Sequence, residues 1–178
     1  MKKLLHLMAV AFAAMLICSV VQPIGRAAAQ TPNLQGTYTY DAAASQNIEA
    51  AIKKVTSQMF FGSGMATDRL TKTNQPPQKL TITQTASDIT IQADNGQAIK
   101  TTMNGTPVSV TREDGEALQV SSVWQGTTLQ RSFQAQDGLR VNSYSLDPSG
   151  KTLTMGVQLT SGKLPAPLTY QLVYRKVN

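Results

Sequence analysis

The feature that most constrains the fold is a regular series of glycines in the C-terminal half of the chain. They recur every nine to twelve residues, at Gly96, Gly105, Gly115, Gly126, Gly138, Gly150 and Gly162. Several belong to Asn-Gly or Asp-Gly pairs, which readily adopt the positive φ angles that tight hairpin turns need. Evenly spaced turns of this kind indicate an up-and-down meander of short antiparallel strands.

Between these turns, apolar residues alternate with polar ones. Segments such as 80–82, 89–91 and 153–159 carry Leu, Ile, Val or Met at alternate positions, with mostly polar residues between them. Because successive side chains of a strand point to opposite faces, the pattern predicts strands with one enclosed and one solvated face. With a first strand at 34–40, we predict a mainly β fold. We expect about eight to ten strands closed into an antiparallel up-and-down barrel, because closure removes exposed edges. A β-sandwich and a curved open sheet are the alternatives.

One segment after the first strand breaks the alternation. Apolar residues recur there at the spacing of one helical face: Ile48, Ile52, Val55 and Met59. We therefore predict a short helical insert over about residues 42–62, with Asp41 or Ser45 as its N-terminal cap. Residues 65–78 are interpreted as a loop or a poor second helix.

The N-terminal residues predict export. Two lysines precede a long apolar run, and helix breakers and an alanine triplet follow it just before Gln30. This layout is typical of a secretory signal peptide. We expect residues 1–29 to be cleaved and residues 30–178 to form a single domain in the periplasm or outside the cell. After cleavage no stable membrane span is expected. A retained anchor is the alternative, because the apolar run approaches spanning length.

The residue types left after cleavage narrow the possible chemistry. The only cysteine, Cys18, and the only histidine, His6, both lie in the predicted signal peptide. A mature chain without them has no disulfide, no Cys/His zinc site, no histidine-based triad and no cysteine nucleophile. We therefore expect no enzyme activity, no catalytic residue, no metal and no cofactor. Loss of Lys2, Lys3 and Arg26 leaves 13 scattered basic residues against 10 acidic ones, so no nucleic-acid partner is expected.

The predicted order of a strand, a helical insert and a long meander resembles the calycin architecture of the lipocalins and the fatty-acid-binding proteins. Lipocalins begin with Gly-x-Trp on the first strand, where this chain has Gly36, Thr37 and Tyr38. They also pack a late basic residue on that aromatic ring, and Arg175 stands in a comparable place. An insert directly after the first strand is more similar to the fatty-acid-binding proteins, where it covers the barrel. The resemblance implies a barrel that binds a small hydrophobic or amphipathic ligand.

Two arginines are the first candidates for ligand contact. Arg131 shares strand parity with Leu129 and Phe133, and Arg112 shares the parity of the valines before it. Both are expected to face the enclosed space, where a guanidinium is costly unless it is paired. A carboxylate ligand is a natural partner. The alternatives are a β-bulge that shifts the parity, an internal carboxylate that pairs with Arg131, and an Arg112 that reaches solvent.

Two further groups of side chains are candidate ligand contacts. Tyr170 and Tyr174 lie on the apolar parity of the last strand. The resemblance to fatty-acid-binding proteins, whose interior Arg and Tyr hold the head group, implies that these tyrosines assist the arginines. Met59, Phe60 and Phe61 form an apolar cluster beside glycines, and they predict either a flexible lid over the barrel mouth or a plug at one end.

Two functional hypotheses follow from these observations. The first is a periplasmic or secreted binding protein for a small amphipathic or lipid-like ligand. It depends on the barrel enclosing a space that its wall side chains do not fill. The alternative is a non-catalytic structural or interaction module of the cell envelope, in which the barrel is filled.

Overall fold

The computed structural model describes residues 31–112 and 115–177, so the predicted signal peptide at 1–29 lies outside the described residues. The described part contains ten strands and two helices. In chain order they are β1 (Gly36–Tyr40), α1 (Ile48–Thr56), α2 (Ser63–Thr73), β2 (Lys79–Gln84), β3 (Asp88–Ala93), β4 (Ile99–Thr102), β5 (Val108–Thr111), β6 (Ala117–Gln125), β7 (Thr128–Gln134), β8 (Gly138–Leu146), β9 (Thr152–Ser161) and β10 (Leu168–Lys176).

The strands form a single antiparallel sheet that curves into a nearly closed barrel. Its order is β4-β3-β2-β1-β10-β9-β8-β7-β6-β5, so the first and last strands of the chain are neighbours. Tyr38 of β1 lies between Leu80 of β2 and Lys176 of β10. The prediction of a mainly β, antiparallel barrel of about eight to ten strands with a helical insert after the first strand is confirmed.

The barrel has one gap, between β4 and β5. These two strands share no ladder within the described part of the chain. Separate contacts instead join the β4 side of the gap to β6 and β7. The Thr101 hydroxyl donates to the Ser122 hydroxyl at 2.7 Å, and Asn104 forms a bridge with Val123. The Trp124 Nε1–H also donates to Met103 Sδ at 3.2 Å, and Arg131 donates to the Ile99 carbonyl at 2.6 Å. The wall is therefore continuous around most of its circumference and is held by a few isolated contacts at this position.

The enclosed face carries the hydrophobic core, as the alternation predicts. Side chains with no exposed surface come from strands all around the barrel and from α1, and they include Tyr38, Ile52, Ile89, Leu129, Leu153 and Leu168. Burying such side chains stabilises the fold by about 25 cal/mol for each Å² of apolar surface removed from water. The outer face is rich in threonine, glutamine and serine.

Helix α1 forms where the apolar stripe predicts a helix. Its N-cap is Asn47, whose side-chain oxygen accepts from the Ala50 backbone N–H at 2.9 Å. Neither Asp41 nor Ser45 caps the helix, so that prediction is wrong. The chain makes a turn after Asp41 before the helix begins, and the residue next to the first helical turn is the one that can reach its free N–H groups.

The helical insert is longer than predicted, because a second helix follows the first. Helix α2 begins after Gly62, which adopts a left-handed conformation with φ 72°. The predicted end of the helical insert at residue 62 is therefore wrong. The sequence predicts a loop or a poor second helix for residues 65–78. The first part of that segment forms most of α2. Only Leu70 of this helix is buried, which explains its weak sequence pattern. In residues 31–112 and 115–177, neither helix has the length and apolar character to cross a bilayer.

The Gly-x-Tyr motif lies at the closure of the barrel. Tyr38 is fully buried, and its hydroxyl donates to the Leu34 carbonyl at 2.8 Å. The basic residue on its ring is Lys176, with Nζ 5.8 Å from the ring centroid. Arg175 was predicted in that position and instead bonds to Asp41 on the outer face. The prediction is wrong by one residue, because the β1–β10 register pairs Tyr38 with Lys176.

Candidate functional site

A cavity of about 520 Å³ lies between α2 and the inner wall of the barrel. Cavities that hold small molecules usually have volumes of about 300–1,000 Å³. Much of the lining is apolar and comes from α2, from strands of the wall and from two connecting loops: Met59, Leu70, Leu118, Phe133, Leu159 and Leu164. The barrel therefore contains a space of the right size and polarity for the apolar part of a small ligand.

Arg140 on β8 is the charged side chain at the centre of this site. Its guanidinium donates to Asn142 Oδ1 at 2.9 Å, to Asn74 Oδ1 at 3.2 Å and to the Tyr170 hydroxyl at 3.4 Å. All three acceptors are neutral. None of the carboxylates in residues 31–112 and 115–177 forms an ion pair with Arg140. The cavity wall thus presents a positive charge that is hydrogen-bonded but not neutralised.

Tyr170 on β10 completes the arrangement around Arg140. Its side chain is buried, and its hydroxyl donates to Asn74 Oδ1 at 3.0 Å. Burial raises the pKa of Tyr170, and the charge and hydrogen bond of Arg140 oppose that rise only in part. The hydroxyl is therefore protonated at neutral pH and acts as a donor beside the guanidinium. Tyr170 was predicted as a ligand contact, and the structure places it in direct contact with Arg140.

Arg131 faces the inside of the barrel, as its parity predicts, but it does not line the cavity. The side chain is 1% exposed and donates to the Ile99 carbonyl at 2.6 Å. Its guanidinium lies 5.8 Å from the centroid of the Phe133 ring, and its Nε has no partner among the described residues. Burial lowers the pKa of Arg131. Its contact with a ligand stays a prediction.

A polar row (Thr101, Ser122, Arg131, Asn142 and Tyr144) crosses the enclosed face beside the cavity. Ser122, Arg131 and Asn142 are direct cross-strand neighbours, and the Asn142 side-chain amide donates to the Tyr144 hydroxyl at 3.3 Å. Asn142 also accepts from Arg140, so the row is hydrogen-bonded to the cavity wall. Arg140 is thus hydrogen-bonded to Asn142, which is bonded in turn to Tyr144, whereas Arg131 is a cross-strand neighbour of Asn142 that bonds to the Ile99 carbonyl instead.

The two remaining polar candidates lie in different surroundings. Arg112 lines the cavity and pairs with Glu116 at 2.9 Å. Tyr174 lies in the core, where its ring packs against Tyr40 with the centroids 5.7 Å apart. Its hydroxyl has no hydrogen-bond partner in the described part of the chain, and burial raises its pKa. For both residues, ligand contact stays a prediction.

The apolar cluster near the end of α1 is divided by the structure. Met59 lines the cavity, whereas Phe60 and Phe61 are 98% and 91% exposed at the turn between the helices. The two phenylalanines project into solvent, so in this structure they neither cover the cavity nor plug the barrel. Their contact with a ligand stays a prediction.

Charged side chains also line the cavity outside the Arg140 site. The Asp137 carboxylate accepts a hydrogen bond from Lys163, and Arg69 of α2 lies within electrostatic range. The Lys163 hydrogen bond and charge, with a smaller contribution from Arg69, hold the pKa of Asp137 below its usual range. This carboxylate is thus neutralised by its own partners. The described residues bring no three His, Cys, Asp or Glu side chains together as a metal site.

The sequence does not point to Arg140 or Asn74 as site residues. On β8 the apolar residues Leu139 and Val141 lie on the outer face, whereas Arg140 and Asn142 face inward. A prediction from polarity alone would therefore place Leu139 and Val141 on the inner face of this strand. The available signal was Tyr144, which shares the parity of Arg140 and is buried. Asn74 follows a helix that the sequence predicts weakly.

No family model matches the chain, and no curated protein matches it in sequence. Solved structures match its fold. Fatty-acid-binding protein 1 of Echinococcus granulosus is 10% identical over 81% of this chain and 97% of that chain, with a TM-score of 0.54. The REP1-NXSQ fatty acid transporter is 15% identical over 82% and 96%, with a TM-score of 0.52. A heat-soluble SAHS protein from Ramazzottius varieornatus is 11% identical over 83% and 98%, with a TM-score of 0.55.

These matches and the strand order define the class. The chain has the fold of the fatty-acid-binding proteins and related calycins, and it carries two helices after its first strand. At these identities the likeness concerns the fold alone, and the ligand has to be argued from this chain's own residues.

Proposed function

We propose that this protein is a non-catalytic binding protein for a small amphipathic ligand with an acidic head group. The single observation that carries the proposal is the guanidinium of Arg140, which faces a mainly apolar cavity of about 520 Å³ and has only neutral hydrogen-bond partners. The Arg140 side chain is partly buried, so its charge has lost some of its hydration without gaining a counter-charge, which costs free energy. A carboxylate that binds there offsets this cost with charge-assisted hydrogen bonds, which are about twice as strong as neutral ones.

The lining of the cavity supports an amphipathic ligand rather than a small polar anion. Leu118, Phe133, Leu159 and Leu164 surround the space next to Arg140. An apolar chain that covers these side chains gains about 25 cal/mol for each Å² of apolar surface removed from water. Two of the proteins with a similar fold are named as a fatty-acid-binding protein and a fatty acid transporter. A cavity of this size also favours a carrier over a module with a filled barrel.

The proposal is tested by displacement of a fluorescent fatty acid with laurate, with lauryl alcohol as the neutral ligand of equal chain length. Arg140→Gln is expected to weaken laurate binding by about tenfold to a hundredfold, because hydrogen bonds to charged groups contribute about 1.5–3 kcal/mol. Binding of the alcohol should change little. Arg175→Gln removes the same charge from the outer face, where the guanidinium bonds to Asp41, and should leave both affinities unchanged.

Three results would contradict the proposal. One is the absence of laurate binding at micromolar concentration, together with the absence of any lipid in native mass spectra of the protein purified without denaturation. The second is equal loss of laurate and alcohol affinity in Arg140→Gln, because that pattern reports a general disturbance of the cavity. Equal effects of Arg140→Gln and Arg175→Gln would likewise exclude a specific role for the cavity guanidinium.

We also propose that the protein functions in the periplasm or outside the cell. The support is the layout of the N-terminal residues, in which an apolar run ends in an alanine triplet before Gln30. Mass spectrometry of the protein recovered from its native compartment should give a mature chain that begins at Gln30. Recovery of the chain with its leader, in the cytoplasmic fraction, would contradict export.

A further inference from the structure

We propose that the side-chain oxygen of Asn74 is an internal substitute for the ligand head group, so that binding of an acidic ligand releases the C-terminal end of α2. This inference rests on the proposed function, because it requires an anion at Arg140. It adds a coupling between the occupancy of the cavity and the position of the helix that covers it.

The geometry places the oxygen of Asn74 where a carboxylate oxygen would bind. Asn74 Oδ1 accepts from Arg140 at 3.2 Å and from the Tyr170 hydroxyl at 3.0 Å. A guanidinium and a phenol that converge on one oxygen form a site for an anionic acceptor. The residue that fills this site comes from the helical insert, whereas both donors come from the barrel wall. Asn74 is 3% exposed, so the contact is an interior one.

Asn74 is also part of the end of α2. It is the C-cap residue of the helix, and its backbone N–H donates to the Leu70 carbonyl at 2.9 Å. Its side-chain amide donates to the same carbonyl, also at 2.9 Å. The side chain therefore joins the last turn of the helix to the barrel through two hydrogen bonds from the wall. A movement of this side chain away from Arg140 and Tyr170 loosens the last turn with it.

A carboxylate has the advantage in the competition for these donors. Hydrogen bonds between two ionised groups are stronger and shorter than those from a guanidinium to a neutral amide oxygen. The two acceptors cannot use the same donor positions at once, so the stronger acceptor displaces the amide. A neutral alcohol lacks this advantage and is expected to leave Asn74 in place.

The packing of the helices allows such a displacement. Helix α1 packs directly on β10, whereas α2 packs chiefly on α1. Leu70 is the only buried side chain of α2. The end of α2 is therefore held to the wall largely by polar contacts, which open at lower cost than an apolar interface.

The first test is the variant Asn74→Ala, which removes the competing oxygen. Laurate binding is expected to become about three- to tenfold tighter, because the ligand no longer displaces a hydrogen-bonded amide. The affinity for lauryl alcohol should increase less. Gln75→Ala is the matched control, because Gln75 follows the C-cap of the helix directly and its side-chain amide donates to the Thr71 carbonyl rather than to the barrel wall. Its laurate affinity should equal that of the unaltered protein. Weaker laurate binding in Asn74→Ala would show that Asn74 holds the ligand and would overturn the inference.

The second test uses the unaltered protein and does not depend on the folding of a variant. Laurate is expected to accelerate backbone hydrogen exchange at the end of α2, over residues 70–75, while it slows exchange in β7 to β9. Lauryl alcohol should slow exchange in the strands without the acceleration in α2. Slower exchange in both regions with laurate would overturn the coupling and leave the proposed function standing. If laurate does not bind at all, the proposed function and the inference fall together.

Discussion

At the scale of single residues, two interior tyrosines are equally buried but differ in their hydrogen bonding. Tyr38 and Tyr174 both have no exposed surface. The hydroxyl of Tyr38 donates to the Leu34 carbonyl, whereas that of Tyr174 has no partner among the residues described. A buried hydroxyl without a partner destabilises the fold, whereas one that is hydrogen-bonded stabilises it. Removal of the hydroxyl should therefore have different effects on stability at the two positions.

Tyr38→Phe is expected to lower the free energy of unfolding by about 1 kcal/mol, the usual contribution of a single hydrogen bond. Tyr174→Phe should leave the free energy unchanged or raise it, because it removes a hydroxyl that lost its hydration on folding. Urea denaturation of both variants, with equal slopes, measures the difference. A similar loss in both variants would contradict the assignment of the Tyr174 hydroxyl as unpaired.

The pH dependence provides a second measurement on the same pair. Burial raises the pKa of Tyr38 and of Tyr174 above the ordinary value of 10.0. Above pH 10 the unfolded chain releases these protons while the folded chain keeps them, so the stabilisation that is present below pH 10 is lost as the pH rises. The free energy of unfolding should therefore fall as the pH rises above about 10, towards the raised pKa of the folded state. Tyr174→Phe should make that fall smaller.

The sequence predicted the orientation of Arg131 but did not point to Arg140, whose guanidinium lines the cavity. Arg131 lies among apolar neighbours of the same parity, and a buried β-strand face is recognisable from such neighbours. Arg140 lies opposite to Leu139 and Val141, whose apolar side chains pack on the outer surface. A binding site contains polar groups where a core would contain apolar ones, so a rule based on polarity fails at this position.

At the scale of elements, one face of α1 packs against the core, whereas the turn between α1 and α2 is exposed to solvent. Ile52 of α1 is fully buried in the core, whereas Phe60 is 98% exposed at the turn before α2. The contribution of the insert to stability therefore comes from α1 and its contact with β10. The tip of the insert contributes little to the fold.

We expect Ile52→Ala to lower the free energy of unfolding by about 2–5 kcal/mol, because it removes buried methyl groups and leaves a cavity. Phe60→Ser, which changes a larger side chain, should shift it by about 0.5 kcal/mol or less, as at other surface positions. Thermal or urea denaturation distinguishes the two. A loss in Phe60→Ser comparable to that of Ile52→Ala would mean that the tip packs on the protein in solution.

The two helices differ in how far the sequence predicts them. Helix α1 follows from a regular apolar stripe, whose members Ile52 and Val55 are buried as that stripe requires. Helix α2 starts at a left-handed glycine without a side-chain cap and buries only Leu70. Its formation depends on packing against α1 and on the contacts of Asn74 with the barrel. Such tertiary contacts have no periodic pattern in the sequence.

At the scale of the whole molecule, local signals predict the strands and non-local contacts decide how they close. The turn glycines and the alternation identify the hairpins, because each hairpin pairs neighbours in sequence. The pairing of β1 with β10 brings together strands that are far apart in the sequence, and the gap separates β4 from β5, which are consecutive. No local sequence pattern predicts either feature. The cavity results from that closure and from the position of α2, which is why its lining was predicted only in part.

The unequal pairing around the barrel predicts unequal protection of its backbone. Strands β8 and β9 each have two long neighbours, whereas β4 and β5 are short and each pairs through a ladder on one side only. Backbone amides of β4 and β5 should therefore exchange with solvent through local opening, and those of β8 and β9 only through larger unfolding. Hydrogen exchange followed by NMR measures this difference. Protection of β5 equal to that of β9 would imply that the gap is closed in solution.

The gap between β4 and β5 is the part of the wall where the circumference of the barrel is least constrained. Elsewhere the circumference is fixed by ladders, and any increase requires several backbone hydrogen bonds to break together. At the gap, widening breaks contacts that are isolated from one another: the Thr101–Ser122 hydroxyl hydrogen bond, the Asn104–Val123 bridge, and the hydrogen bonds from Trp124 to Met103 and from Arg131 to the Ile99 carbonyl. Because these contacts do not form a ladder, an increase in the girth of the barrel should occur at this one place.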